Sequence, residues 1–258
     1  MLFFSRSAYI RLLEILVSAL THIQKMKKLN LQAVMIDLDG TMVDTIGDFE
    51  VALNRALIDL SIPTANRALI ERGIGKGSEH LIRTVLLHQL ALPEVASHQR
   101  EVEQLFTPVW KRYEHHYLSI NGEFSKVFPG VMEGLELLKA MGLPLACLTN
   151  KPLSFTTPLL KNKGLSAYFE QVFGGDSFER KKPDPLPLLK TCEALLSSPA
   201  RTLMVGDSSN DAQAANAAGC PVVLMTYGYN HGETIQNTPA LAWLDSLDQL
   251  KSLSITAR

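Results

Sequence analysis

The sequence predicts an α/β fold: a doubly wound parallel sheet with a small all-helical unit inserted after its first strand. Three observations predict it. Short apolar runs recur along the chain, and each ends on a polar residue. Helical patterns stopped by glycines lie between them. One long stretch, about 48–125, carries helical patterns and no convincing strand.

Taken in order, residues 1–30 stand apart. They hold Arg6, Arg11, Lys25, Lys27 and Lys28 against one acid, Glu14. The apolar stretch 12–20 is interrupted by Glu14 and falls far short of the roughly 20 residues of a membrane span. No clear small-residue cleavage site follows, so it makes a poor secretory signal. The segment reads as an amphipathic extension, or as sequence upstream of a start at Met26, which runs straight into the first strand.

Residues 33–36 form that strand and end at Asp37. Helical patterns then cover 48–60, 64–72, 78–90 and about 94–117. The next helix, 130–141, places Val131, Leu135, Leu138 and Met141 on one face and stops at Gly142. Strand 143–148 ends at Thr149, and helix 154–163 ends at Gly164. A weaker strand, 171–173, precedes a helix over 185–196 that starts on proline. Strand 202–205 ends at Gly206-Asp207, helix 211–218 stops at Gly219, and 222–225 is a further strand. The chain therefore divides into an extension (1–30), an α/β core (31–47 and 126–258) and a helical insertion (48–125).

Composition narrows the partners. The 258 residues are 46% hydrophobic and 20% charged, with a net charge of -1. That is ordinary for a soluble globular protein and offers no footprint for nucleic acid or an anionic membrane. Cys147, Cys192 and Cys220 are too widely spaced for a zinc site and odd in number. They read as reduced thiols of a cytoplasmic protein. The expected partner is a small molecule.

Its chemistry is written at the strand ends, where open parallel sheets bind ligands. Asp37 and Asp39 follow the first strand, Thr149 and Asn150 another, and Asp207, Ser208 and Asp211 a third, while Lys181 and Lys182 precede a helix. Carboxylates, a hydroxyl and a lysine on one edge suit a phosphoryl group and Mg²⁺. A carboxylate can act as nucleophile on phosphorus. A second acid two residues on can protonate the leaving oxygen and then activate water. Gly40-Thr41 permits a sharp turn that offers N–H groups to phosphate oxygens. Thr149 and Lys182 would hold the equatorial oxygens.

These segments resemble the four motifs of the haloacid dehalogenase superfamily, in that family's order. Asp37-Leu38-Asp39-Gly40-Thr41-Met42-Val43-Asp44 resembles the first, Leu148-Thr149-Asn150-Lys151 the second, Lys181-Lys182-Pro183-Asp184-Pro185 the third and Gly206-Asp207-Ser208-Ser209-Asn210-Asp211 the fourth. The resemblance implies that Asp37 is the nucleophile and Asp39 the general acid/base, with its backbone carbonyl on Mg²⁺. It implies that Asp207 is a metal ligand, that Asp211 belongs to the metal site, and that Lys182 is the motif lysine. It implies that the helical insertion is a cap closing over the core. The 128–131, 149–152, 174–177 and 227–230 segments are further similar to the phosphoglycolate phosphatase group, as is the 73–77 loop to its glycine-rich cap loop. That likeness implies hydrolysis of 2-phosphoglycolate, with Thr41, Asn150, Gly75 and Lys76 as substrate-binding candidates. Met42 departs from the leucine usual in the first motif, a volume-preserving change.

Plainer readings compete. Thr149 can be a helix cap, Lys182 a solvated charge beside Arg180 and Lys181, Asp211 a helix-start acid and Lys76 an exposed loop lysine. His115 and His116 are adjacent, so they face different ways and do not share a metal. His231 reads as a surface residue. Another small sugar or amino-sugar phosphate is an alternative substrate, because the cap sets specificity. A receiver-like phospho-accepting module is the alternative outside enzymology. Asp39 and the large insertion argue against it.

Overall fold

The computed structural model describes residues 29–90 and 99–257; most of the expected extension, and the start of the expected helix at 94, lie outside them. The chain opens with β1 (Leu29–Leu31), β2 (Ala33–Ile36) and β3 (Val43–Asp44). Four helices follow: α1 (Ile46–Asp59), α2 (Arg67–Gly73), α3 (Ser78–Gln89) and α4 (Gln99–Ile120). Then come β4 (Lys126–Val127), α5 (Val131–Ala140), β5 (Leu145–Leu148), α6 (Leu153–Asn162), β6 (Gln171–Phe173) and α7 (Leu186–Ala194). The chain closes with β7 (Thr202–Gly206), α8 (Ser209–Ala218), β8 (Val222–Met225), β9 (Ala242–Leu244) and β10 (Ile255–Ala257).

Six strands form one sheet in the order β6-β5-β2-β7-β8-β9, all parallel. The chain winds outward from β2 to β6 on one side, then returns to build β7, β8 and β9 on the other. The strand order therefore reverses at β2, which opens a crevice beyond its carboxyl end. Side chains alternate along β2. Val34 and Ile36 pack with Val131, Leu135 and Leu138 of α5 and Leu159 and Leu160 of α6. Ala33 and Met35 pack with Leu188 and Cys192 of α7 and Ala212, Ala214 and Ala215 of α8. Burial on both faces is why β2 carries no polar residue until it ends.

Helices α1–α4 share a separate core built on Phe49, Leu53, Ile70, Leu81, Val85, Tyr113 and Tyr117. Phe155 and Tyr229 of the α/β core complete that cluster. Among the described residues, no strand lies between β3 and β4. These two pair antiparallel (Val43 with Val127, Asp44 with Lys126) and bring the two connections side by side. The buried Asp48 carboxylate accepts from the N–H groups of Gly122 (3.0 Å) and Phe124 (2.7 Å). Lys163 donates to the carbonyls of Gly122 and Ser125, both at 2.6 Å.

Several boundaries differ from the sequence expectation for physical reasons. Leu29 and Asn30 belong to β1, which pairs in parallel with β10. β5 starts at Leu145, after Pro144, which has no N–H to give a ladder. α8 starts at Ser209 because Ser208 and Asp211 form a capping box. β9, at the sheet edge, was not expected at all. No described helix is long and apolar enough to cross a membrane. All three cysteines are free and buried.

Candidate active site

Asp37 leaves the end of β2 at the centre of the sheet, its N–H bonded to the Val205 carbonyl at 2.9 Å. Lys182 reaches it from the loop before α7. The Lys182 ammonium donates to Asp37 Oδ1 (2.8 Å), Asp211 Oδ1 (2.7 Å) and the Leu148 carbonyl (2.8 Å). Burial alone would lower the Lys182 pKa, but Asp211 and Asp37 overcome it and hold it above the ordinary lysine value. Burial pushes Asp37 up to about 7, against the pull of Lys182.

Asp211 is fully engaged. Its other oxygen, Oδ2, accepts from the N–H groups of Asp207 (3.2 Å) and Ser208 (3.1 Å) and from the Ser208 hydroxyl (2.7 Å). It therefore fixes both the turn after β7 and the lysine. Asp207 differs. It is 3% exposed, and its recorded donors are neutral: the Thr41 hydroxyl (2.9 Å) and the Tyr229 N–H (2.5 Å). Burial, Asp211 and Asp37 push its pKa well above the usual carboxylate range. One oxygen from each of Asp37, Asp207 and Asp211 lies within 4.8 Å of the others. Three buried carboxylates facing one ammonium, with oxygen donors throughout, fit a hard divalent cation.

Asp39 has its own cation. Lys151 donates to Asp39 Oδ1 (3.0 Å) and Oδ2 (3.1 Å), in a pair that is wholly buried on the lysine side. The same ammonium lies 4.2 Å from the Phe49 ring centroid and 4.6 Å from that of Tyr117. Both rings come from the helical unit, so the charge on Asp39 is braced from outside the α/β core.

Two glycines let the site close up. Gly40 turns with φ +83° directly beside Asp207. A Cβ on Gly228 would lie 2.2 Å from both the Cβ and Oδ2 of Asp207. Gly228→Ala is expected to displace Asp207 and destabilise the fold by about 1–3 kcal/mol, as overpacking does. Thermal unfolding checks this, and an unchanged Tm contradicts it.

A cavity of about 20 Å³ lies over Asp37 and Asp39, room for about one water. Thr149, Asn150 and Lys151 line it from the core, and Phe49, Gly75 and Ser78 from the helical unit.

The profile of the haloacid dehalogenase-like hydrolases matches residues 31–219. The chain belongs to that family. Among relatives of this hydrolase is a phosphoglycolate phosphatase of Thiobacillus denitrificans, 43% identical over 220 residues, which cover 85% of this chain and 93% of the relative. The phosphoglycolate phosphatase of Escherichia coli (strain K12) is 37% identical over 238 residues, covering 88% and 94%. A crystal structure of a predicted phosphoglycolate phosphatase from Haemophilus somnus superimposes with a TM-score of 0.79 at 31% identity, covering 87% of this chain and 98% of that one.

The hydrolase brings Asp37, Lys182, Asp207 and Asp211 into direct or near contact, with Thr41 on Asp207 and Thr149 on the cavity wall. Asn150 donates to the carbonyls of Lys182 (2.8 Å) and Gly75 (3.0 Å). Lys76 lies elsewhere: it lines a neighbouring cavity of about 550 Å³ with Arg83 and Lys181. His231, expected at the surface, is half-buried against Gly75, with Nε2 3.2 Å from Asn210 Nδ2. Sequence reasoning missed Lys151 and Tyr229. Lys151 stood inside the second motif, but its partner lies 112 positions away, and no local signal named it.

Proposed function

We propose that this hydrolase removes phosphate from 2-phosphoglycolate, giving glycolate and inorganic phosphate, with Mg²⁺ as cofactor and the helical unit as a cap. The contact of Lys182 with both Asp37 and Asp211 carries the chemistry, because it gathers three distant sequence segments around one carboxylate. The names of the relatives support the substrate.

In this reading an Asp37 oxygen attacks phosphorus in line with the leaving group. The bond from phosphorus to the glycolate oxygen breaks, and Asp39 gives that oxygen its proton. Asp39 then takes a proton from a water that attacks the phosphorus of the aspartyl-phosphate. Asp37 leaves as a carboxylate and inorganic phosphate departs. Lys182 and Thr149 hold phosphoryl oxygens, helped by N–H groups of the turn at Gly40-Thr41. Lys151 holds Asp39 in place. Mg²⁺ would be held by Asp37, Asp207 and the Asp39 carbonyl, with Asp211 behind them, and supplies charge neutralisation between Asp37 and the substrate phosphate. The small cavity between core and helical unit supports a cap that opens to admit substrate and closes to exclude water. Free Cys147, Cys192 and Cys220 suit the cytoplasm.

The test is kcat/KM for 2-phosphoglycolate beside a panel of small phosphate esters, with Mg²⁺ and with excess chelator. A preference of about a hundredfold or more is expected, equal to about 2.7 kcal/mol, together with reversible silencing by chelator. A flat panel overturns the substrate, and activity that persists in chelator overturns the cofactor.

A further inference from the structure

A side chain of the α/β core packs directly on the helical unit at Gly75. A Cβ on Gly75 would lie 3.1 Å from Cε1 of His231, which stands in the loop after β8. His231 has φ +54°, a left-handed conformation that residues other than glycine seldom adopt and that persists only where the surroundings hold it. Here it sets the imidazole in the seam between core and helical unit.

The hydrogen bonds decide which ring nitrogen carries the proton. Asn210, in the first turn of α8, donates Nδ2 to the Gly75 carbonyl at 3.2 Å. A carbonyl only accepts, so the amide nitrogen and not its oxygen faces the seam. The same Nδ2 lies 3.2 Å from His231 Nε2. That ring nitrogen therefore accepts, and the proton sits on Nδ1. Nδ1 is buried near the Arg72 backbone, without a formed hydrogen bond. One amide thus spends its two hydrogens on two acceptors, one in the core and one in the helical unit.

Protonation would reverse this arrangement. Nε2 would become a donor facing another donor, and a positive ring would stand in the seam. The charged residues around the ring are Arg72 and Lys76 of the helical unit, Asp211 of α8 and Glu233 of its own loop. Burial and Lys76 hold the ring's pKa below the ordinary histidine value. The accepting form therefore prevails at neutral pH and is lost as the pH falls through the acid range.

We propose that His231 is a positioning residue: its neutral Nε2 turns the Asn210 amide onto the Gly75 carbonyl, holds the helical unit closed over Asp37, and releases it when the ring is protonated. The proposal rests on the reading of the helical unit as a cap.

Trp110 of α4 reports on the seam, since its ring stacks on Phe155 of the core with centroids 6.4 Å apart. The chain has two tryptophans, so Trp243→Phe leaves Trp110 as the sole emitter. In that background the emission is followed between about pH 8 and about pH 5, which spans the ordinary histidine value. Acid is expected to shift the emission to the red as the seam opens to water. His231→Gln keeps an acceptor near the place of Nε2 without titrating, and is expected to abolish the shift. His231→Phe removes the acceptor, and is expected to show the red emission at both ends of the range. At about pH 8, kcat/KM for 2-phosphoglycolate should fall about 2–10-fold in His231→Phe, the range of one neutral hydrogen bond, and return in His231→Gln. An acid shift that persists in His231→Gln overturns the role of His231, as does a His231→Phe variant with wild-type emission and kcat/KM. Binding of 2-phosphoglycolate to Asp37→Asn, which should not turn over, tests the cap apart. Emission that moves on binding leaves the cap reading standing whatever His231 does. Emission that stays fixed there and in every variant overturns both.

Discussion

Asp37→Asn is expected to lower kcat by about four orders of magnitude or more while leaving the protein folded. The carboxamide has nearly the shape of the carboxylate and can still accept from Lys182 through its oxygen. It cannot attack phosphorus and be regenerated. Stability should hold or rise. Burial has already pushed Asp37 up to about 7, and the substitution removes one of three crowded carboxylates. Loss of activity without loss of stability separates chemistry from structure. Single-turnover assays and thermal unfolding on one preparation test it. Activity within tenfold of wild type would remove Asp37 from the nucleophile's role.

Lys182→Met is expected to damage both activity and fold. The side chain is almost fully buried and its ammonium serves three acceptors. Methionine fills much of the stem but leaves Asp37, Asp211 and the Leu148 carbonyl without that donor. Breaking a buried ion pair from one side costs about 3–5 kcal/mol. Denaturant unfolding should show the loss as a lower midpoint with the same slope. An unchanged midpoint would mean that the carboxylates are satisfied in some other way.

Much of this was legible in the sequence, for reasons that particular segments make clear. β2 and β8 were readable to the residue because both their faces are buried, so every position is apolar until the strand ends. Asp37 and Asp207 were readable because they follow the apolar runs of β2 and β7 at the sheet edge that binds ligands. β1 and β10 were not, since strands of three residues gain meaning only by pairing across nearly the whole chain. Lys151 looked like any loop lysine until the fold set Asp39 and two aromatic rings around it. The 73–77 loop drew attention to Lys76 through its charge. Of that loop, the expected Gly75 does line the cavity over Asp37, together with Ile74, Gly77 and Ser78, whereas Lys76 lines a neighbouring one; which way a side chain turns from such a loop has no signature in a single sequence.

The Gly75 carbonyl accepts from two side chains, Asn150 at 3.0 Å and Asn210 at 3.2 Å. Asn150 stands on the loop after β5 and Asn210 in the first turn of α8, after β7, and the loop they grip belongs to the helical unit. The arrangement is a two-point catch. In the cap motion proposed above, both amides must let go together, so one asparagine out of place would weaken the closure made by the other. The catch is also indifferent to the identity of the neighbouring side chains, because a carbonyl depends on backbone shape. Positions beside Gly75, Lys76 among them, can therefore change what the loop offers a ligand without changing how firmly it shuts.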